Sequence, residues 1–155
     1  GDGTCGPMKT ATRAQFATAL ACAMGYEAPE DPSTIETPFI DVDADDWYAG
    51  AVAFCKENGI ISGYEDTTFR PDQTITRQEA AAMLNNAFGL EASTDVSKFT
   101  DAGKIASWAT AHVGAVANAE LMNGDAAGTF RPTGTLTRAE LASILMNANI
   151  HGFID

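Results

Sequence analysis

Three stretches of the chain share one order of polar and apolar positions: "TRAQFATALACAM" (Thr12–Met24), "TRQEAAAMLNNAF" (Thr76–Phe88) and "TRAELASILMNAN" (Thr137–Asn149). Each opens on Thr-Arg-x-Gln/Glu and runs on into Ala, Leu and Met, the composition of a packed helix. The opening is a capping box: the threonine is N-cap and the residue three positions later reaches back to it. Helices are therefore predicted to begin at Arg13, Arg77 and Arg138. Two earlier helices are predicted over Trp47–Asn58 and Trp108–Ala119. Asp46 and Ser107 are their expected N-caps, and Gly59 is the stop of the first. The loops "SGYEDTTFRPDQT" and "NGDAAGTFRPTGT" are punctuated by Gly and Pro. Within them Phe69 and Phe130 are expected to anchor the loop to the core.

These segments belong to an internal repeat. "GIISGYEDTTFRPDQTITRQEAAAMLNNAF" aligns without gaps on "ELMNGDAAGTFRPTGTLTRAELASILMNAN" at an offset of 61 residues. Upstream, "FIDVDADDW" (Phe39–Trp47) matches "FTDAGKIASW" (Phe99–Trp108) with one inserted residue. The N-terminus carries only the second half of a further copy. An offset of 64 lays Pro7 on Pro71, Thr12 on Thr76 and Arg13 on Arg77, with Cys5 at the place of Phe69. The chain reads as one domain over residues 1–155. It holds half a repeat (1–25), two full repeats (39–88 and 99–149), and linkers over Gly25–Pro38 and Gly89–Lys98.

Composition narrows the function. A 155-residue chain with 45% hydrophobic content suits one globular domain with a real core. Its net charge of −12 argues against nucleic acid and anionic membranes as partners. No apolar run reaches the roughly 20 residues of a membrane span. The chain opens without initiator Met or signal peptide, the pattern of a mature or trimmed fragment. Cys5, Cys22 and Cys55 lack C-x-x-C spacing, which disfavours zinc. Buried thiols, or one disulfide with a thiol left over, remain open. "DVDADD" (Asp41–Asp46) fails as an EF-hand, because its sixth position is Asp46 and its twelfth is Val52. No nucleophile motif, P-loop, dinucleotide fingerprint or H-E-x-x-H is present. His112 and His151 have no nucleophile or ligand cluster near them in sequence. The chain reads as non-catalytic, with no cofactor and no metal.

Taken together, F-x-D-V…W-Y…A-V…G-I-I-S-G-Y-x-D…F-x-P…I-T-R-x-E resembles the S-layer homology domain over essentially the whole chain. The resemblance implies a mainly α fold, a pseudo-threefold, spindle-like bundle of helix-loop-helix repeats with grooves between neighbours. Here the first repeat is incomplete. It also implies an extracellular place on the bacterial cell wall or S-layer, anchoring an exported protein non-covalently. The implied ligand is a secondary cell wall polysaccharide carrying pyruvylated N-acetylmannosamine, or in some bacteria a modified peptidoglycan. The arginine of the ITRAE motif would contact the acidic sugar, helped by the Asp of F-x-D and the Trp after it. Those positions are Arg13, Arg77 and Arg138, Asp41 and Asp101, and Trp47 and Trp108; Tyr64 belongs to the same set. Departures are Gln15 in place of Glu, "GDAAGTF" without a counterpart of Tyr64, and Ala102 in place of Val.

The arginines pose a physical question, because a cation at the first helical position faces the positive end of the helix dipole. Either an external anion sits between the guanidinium and free N–H groups of the helix start, or the arginines pair internally with Asp41, Asp101 or Glu79. Trp47 and Trp108 are core aromatics or platforms for an apolar sugar face. Asp41 and Asp101 accept sugar hydroxyls or brace a turn. The competing function is a structural subunit of a surface assembly, whose first repeat is completed by a neighbouring chain or a severed N-terminal segment.

Overall fold

A computed structural model describes Gly6 and residues 8–155. The placement of Cys5 against Phe69, and of Pro7 against Pro71, falls outside these residues. Among the described residues the regular structure is five α-helices, α1 (Arg13–Ala23), α2 (Ala49–Glu57), α3 (Arg77–Phe88), α4 (Thr110–Asn118) and α5 (Arg138–Ile150), with short 3-10 turns at Pro32–Thr34 and Ala102–Lys104. α2 packs on α1 and α4 on α3.

The repeats close on one another through backbone. Ala11 N–H donates to Leu136 O (2.8 Å), Leu136 N–H to Ile75 O (3.3 Å) and Ile75 N–H to Ala11 O (3.0 Å). Because 11, 75 and 136 are repeat-equivalent, this ring of bonds is the pseudo-threefold axis. Antiparallel bridges Thr10–Thr137, Thr12–Thr74 and Thr76–Thr135 surround it. Phe16, Phe69, Phe130, Leu20, Ile75 and Leu136 are all fully buried. The loop phenylalanines anchor as expected, with Phe39 against Phe69 (centroids 5.6 Å apart) and Phe99 against Phe130 (5.1 Å).

α1, α3 and α5 begin where the capping boxes place them. The box is reciprocal at Thr12–Gln15 and Thr137–Glu140. At Thr76 the hydroxyl accepts Glu79 N–H (3.3 Å) and donates to Glu79 Oε1 (2.9 Å), while Oε2 pairs with Arg13, so the glutamate reaches back to the threonine hydroxyl and not to its backbone N–H. The caps expected for α2 and α4 are corrected. Tyr48 and Ala109 hold those positions without side-chain bonds. Asp46 is not available as a cap, because its carboxylate accepts Asp43 N–H (2.9 Å) in the preceding turn. Gly59 does end α2, at φ +70°, and its repeat-equivalent Glu120 adopts φ +58°.

Cys22 and Cys55 are free thiols. Burial pushes the Cys55 thiol up to about 12, so it stays a small apolar group.

Candidate functional site

Each helix-opening arginine reaches across a repeat boundary. Arg13 donates Nε–H to Phe69 O (2.9 Å) and pairs through Nη1 with Glu79 of the next repeat. Arg77 repeats the pattern one step on: Nε–H to Phe130 O (2.6 Å), Nη1 to Glu140 (2.7 Å) and Nη2 to Asn123 O (3.0 Å). Both are 6% exposed. Their guanidiniums also lie over Phe69 (5.0 Å) and Phe130 (5.1 Å). Burial pulls Arg77 below its ordinary range, and the charge of Glu140 opposes that shift. The internal-pairing reading therefore holds for these two, with Glu79 and Glu140 as acids. Arg138 has no side-chain bond among the described residues. The cyclic pattern would match it with Gln15, a neutral residue already committed to Thr12 N–H (3.1 Å).

The starts of α1 and α3 are saturated, and the first N–H of α5 is also bonded. The N–H groups of Arg13, Arg77 and Arg138 donate to Gln73 O, Gly134 O and Lys9 O, each at 2.8 Å. Those of Ala14 and Gln78 donate to Pro71 O (3.0 Å) and Pro132 O (2.9 Å). The threonine caps take the next set. At α1 and α3 no free N–H group is left for an external anion, because neighbouring repeats supply the carbonyls.

Asp41 and Asp101 turn out to be loop braces. Asp41 accepts Phe69 N–H and Arg70 N–H, both at 2.8 Å; Asp101 accepts Phe130 N–H (2.8 Å) and Arg131 N–H (2.9 Å). Arg70 and Arg131 sit at φ +59° and +56°. A left-handed arginine costs about 1 kcal/mol, which the two charge-assisted bonds offset. Burial acts to raise the Asp101 carboxyl, but the backbone N–H groups of Phe130, Arg131 and Asp101 itself, with the charge of Lys104, outweigh it and the net shift is downward.

Two clefts open beside the buried pairs. One, of about 440 Å³, is lined by Arg13, Ile60–Tyr64, Glu79, Met83, Asn86, Trp108 and His112. It unites Arg13, Tyr64 and Trp108, one from each repeat. Tyr64 lies between guanidiniums, with Arg13 5.0 Å and Arg70 3.7 Å from its ring centroid. Trp108 is 55% exposed, a rim group outside the core. The Nη2 of Arg13 has no protein acceptor among the described residues. The second cleft, of about 290 Å³, holds Arg77, Asn123, Glu140 and Asn147. It lacks an aromatic wall, since Asp125 stands at the place of Tyr64 and no tryptophan flanks α5. Trp47, 67% exposed and edge-on to Tyr48 (5.2 Å), lines neither cleft, and neither do Arg138, Asp41 and Asp101.

Sequence reasoning did not single out Asn86, Glu140 or His112 as cleft residues. Asn86 was within reach, because Asn147 repeats it: their amides donate to Ile60 O (3.2 Å) and Leu121 O (3.4 Å). Among the described residues no cluster of three His, Cys, Asp or Glu side chains could hold a metal, and no helix is long and apolar enough to cross a membrane.

The cyclic repeats, the buried cross-repeat arginines and the loops between them define a helical repeat domain. Residues 38–81 and 98–142 match the S-layer homology domain, and the chain belongs to that family. It is 38% identical to the surface-layer 125 kDa protein of Lysinibacillus sphaericus over 92% of this chain and 12% of that protein. It is 33% identical to an amylopullulanase of Thermoanaerobacterium thermosulfurigenes over 90% of the chain and 8% of the enzyme. To S-layer protein EA1 of Bacillus anthracis the identity is 32%, over 71% and 13%. The chain thus spans about a tenth of the length of these relatives.

Proposed function

We propose that the chain is a cell-wall anchoring module, working outside the cell on the bacterial surface and carrying no catalysis of its own. Relatives as different as surface-layer proteins and an amylopullulanase share it as a small fraction of their length, as an anchor shared between unrelated cargoes would be. The ligand is an acidic wall glycan, a pyruvylated polysaccharide, seated in the Arg13 cleft.

The observation that carries this reading is the meeting of Arg13, Tyr64 and Trp108 in one open cleft. Trp108 offers a ring face for the apolar side of a sugar. Arg13 is fixed by Phe69 O and Glu79, so its remaining amino group is preorganised for a carboxylate at little further entropic cost. The Arg77 cleft, without aromatic wall, is the weaker site. Arg138 presents a charge that no described acid neutralises. Calorimetry with wall polysaccharide, before and after removal of its ketal pyruvate, tests the reading. Loss of most of the binding heat on depyruvylation is expected. Indifference to pyruvate, or binding to a glycan-free peptidoglycan alone, rejects it.

One observation favours the second reading, completion of the bundle by another chain. Ala139, Ala142, Met146 and Ile150 are exposed along α5, with Met146 at 64%. The equivalent Ala14, Ala17 and Ala21 of α1 are buried. Sedimentation velocity decides it: a concentration-independent monomer removes this reading.

A further inference from the structure

His112 lines the Arg13 cleft from α4, one helical turn beyond Trp108. Nothing in the repeat requires a histidine there. The equivalent residue of α2 is Ala51, fully packed at 2% exposure, so a small apolar side chain satisfies the fold. The ring is half-buried and its Nδ1 accepts from the amide of Asn85 at 2.9 Å. An amide nitrogen can only donate, so Nδ1 is the unprotonated nitrogen and Nε2 carries the hydrogen. Nε2–H has no protein acceptor among the described residues. A donor held in one tautomer, unused by the fold and set in the wall of a cleft, is the arrangement a bound oxygen atom needs.

We propose that His112 is a ligand-contacting residue of this cleft, donating Nε2–H to an oxygen of the bound sugar acid and gaining charge when the ligand carboxylate is present, with the Asn85 amide turning its oxygen to accept the new Nδ1–H. This rests on the cleft being the glycan site. The titratable and charged groups that share the cleft are Arg13 and Glu79, which neutralise one another, and the phenol of Tyr64. Without ligand, burial lowers the affinity of the ring for a second proton, so it is neutral near pH 7. A carboxylate brought within about 4–6 Å favours the imidazolium. Linkage then requires affinity for an acidic ligand to rise as pH falls through the imidazole range. A neutral sugar should show no such rise.

The test uses the full chain, with ketal-pyruvylated N-acetylmannosamine and unmodified N-acetylmannosamine as calorimetric probes at pH 7.5 and 5.5. The wild type should bind the pyruvylated sugar about tenfold more tightly at pH 5.5, the equivalent of one pKa unit. His112→Gln keeps a neutral donor near the position of Nε2. It should bind within about twofold of wild type at pH 7.5 and show a flat pH response. His112→Ala should lose about fivefold at pH 7.5, as expected for one neutral hydrogen bond, and also be flat. Nitrogen NMR of the wild-type ring should show the Nε2–H tautomer whether or not the variants fold well. A wild-type pH response surviving in His112→Gln, or an Nδ1–H tautomer, overturns the contact. Tight, pH-independent binding by wild type overturns the contact and leaves the cleft reading in place. Absence of binding at either pH overturns both.

Discussion

Arg77 and Glu140 stand 2.7 Å apart across the boundary between the second and third repeats, one opening α3 and the other in the first turn of α5. Arg13 and Glu79 do the same one repeat earlier. The bond explains an arginine at a position its own helix disfavours. The guanidinium leaves its own helix start and satisfies two carbonyls and a carboxylate of the neighbour. It is a fastener between repeats. The helix dipole penalty, about 0.3–1 kcal/mol, is small beside what a broken buried pair would cost.

Removing the arginine should therefore be worse than removing the acid. Arg77→Met leaves Glu140, Phe130 O and Asn123 O without their donor, and should cost about 3 kcal/mol. Glu140 is about one-third exposed and has Arg131 at 3.9 Å as a second partner, so solvent screens it. Glu140→Gln should cost about 1 kcal/mol. Urea unfolding of both single variants and the double variant measures this, with a coupling of about 1 kcal/mol expected.

The third boundary lacks its acid, because Gln15 stands where Glu79 and Glu140 stand in the other repeats. Gln15→Glu keeps the capping geometry and gives Arg138 a carboxylate. Since Arg138 is only half-buried, the gain should be modest, about 0.5–1 kcal/mol, read as a rise of a few degrees in Tm. An unchanged or lower Tm would show that Arg138 and residue 15 do not face one another as their counterparts do.

How much of this could be read from the chain alone depends on whether the cause was local. Capping boxes are, so Thr12, Thr76 and Thr137 mark their helix starts correctly, and the repeat period discloses the threefold plan. What satisfies the first N–H of each of those helices is not local. Gln73 O, Gly134 O and Lys9 O come from other repeats, and no pattern near Arg13, Arg77 or Arg138 points to them. Asp41 and Asp101 are hard to read for a related reason. An F-x-D aspartate can serve a ligand or a backbone equally well, and the backbone donors of Arg70 and Arg131 that each one accepts lie far along the chain. Trp108 reads the same as a core group or a rim platform until α4 and α3 are docked.

The aspartate braces should set the acid limit of stability. Asp101 has a lowered carboxyl pKa in the folded chain. Its stabilisation is therefore complete above the ordinary unfolded value near 4 and is lost as pH falls through the lower folded value. Asp101→Asn replaces one acceptor by a donor facing Arg131 N–H and should cost about 1–2 kcal/mol at pH 7. Its melting temperature should fall less steeply than wild type between pH 5 and 2.5. Parallel curves for the two would count against the brace.

Each linker is strapped over a glycine. A Cβ on Gly114 of α4 would lie 2.0 Å from Ser93 O, a backbone atom with no room to yield. Gly114→Ala should therefore displace the segment around Ser93 and cost about 1–3 kcal/mol. Limited proteolysis should cut the 89–98 linker faster in the variant. Gly103→Ala, with open space at its Cβ, serves as the neutral control.

The chain holds two tryptophans, so its indole N–H signals form a two-channel report on where a glycan sits. Titration of the protein with ketal-pyruvylated N-acetylmannosamine, with the signals assigned by Trp108→Phe, tests the cleft directly. Trp108 should shift in a saturable way while Trp47 stays still, and Tyr64→Ala should weaken the response. Saturable movement of Trp47 with Trp108 unmoved, or silence of both at millimolar sugar, would contradict the account.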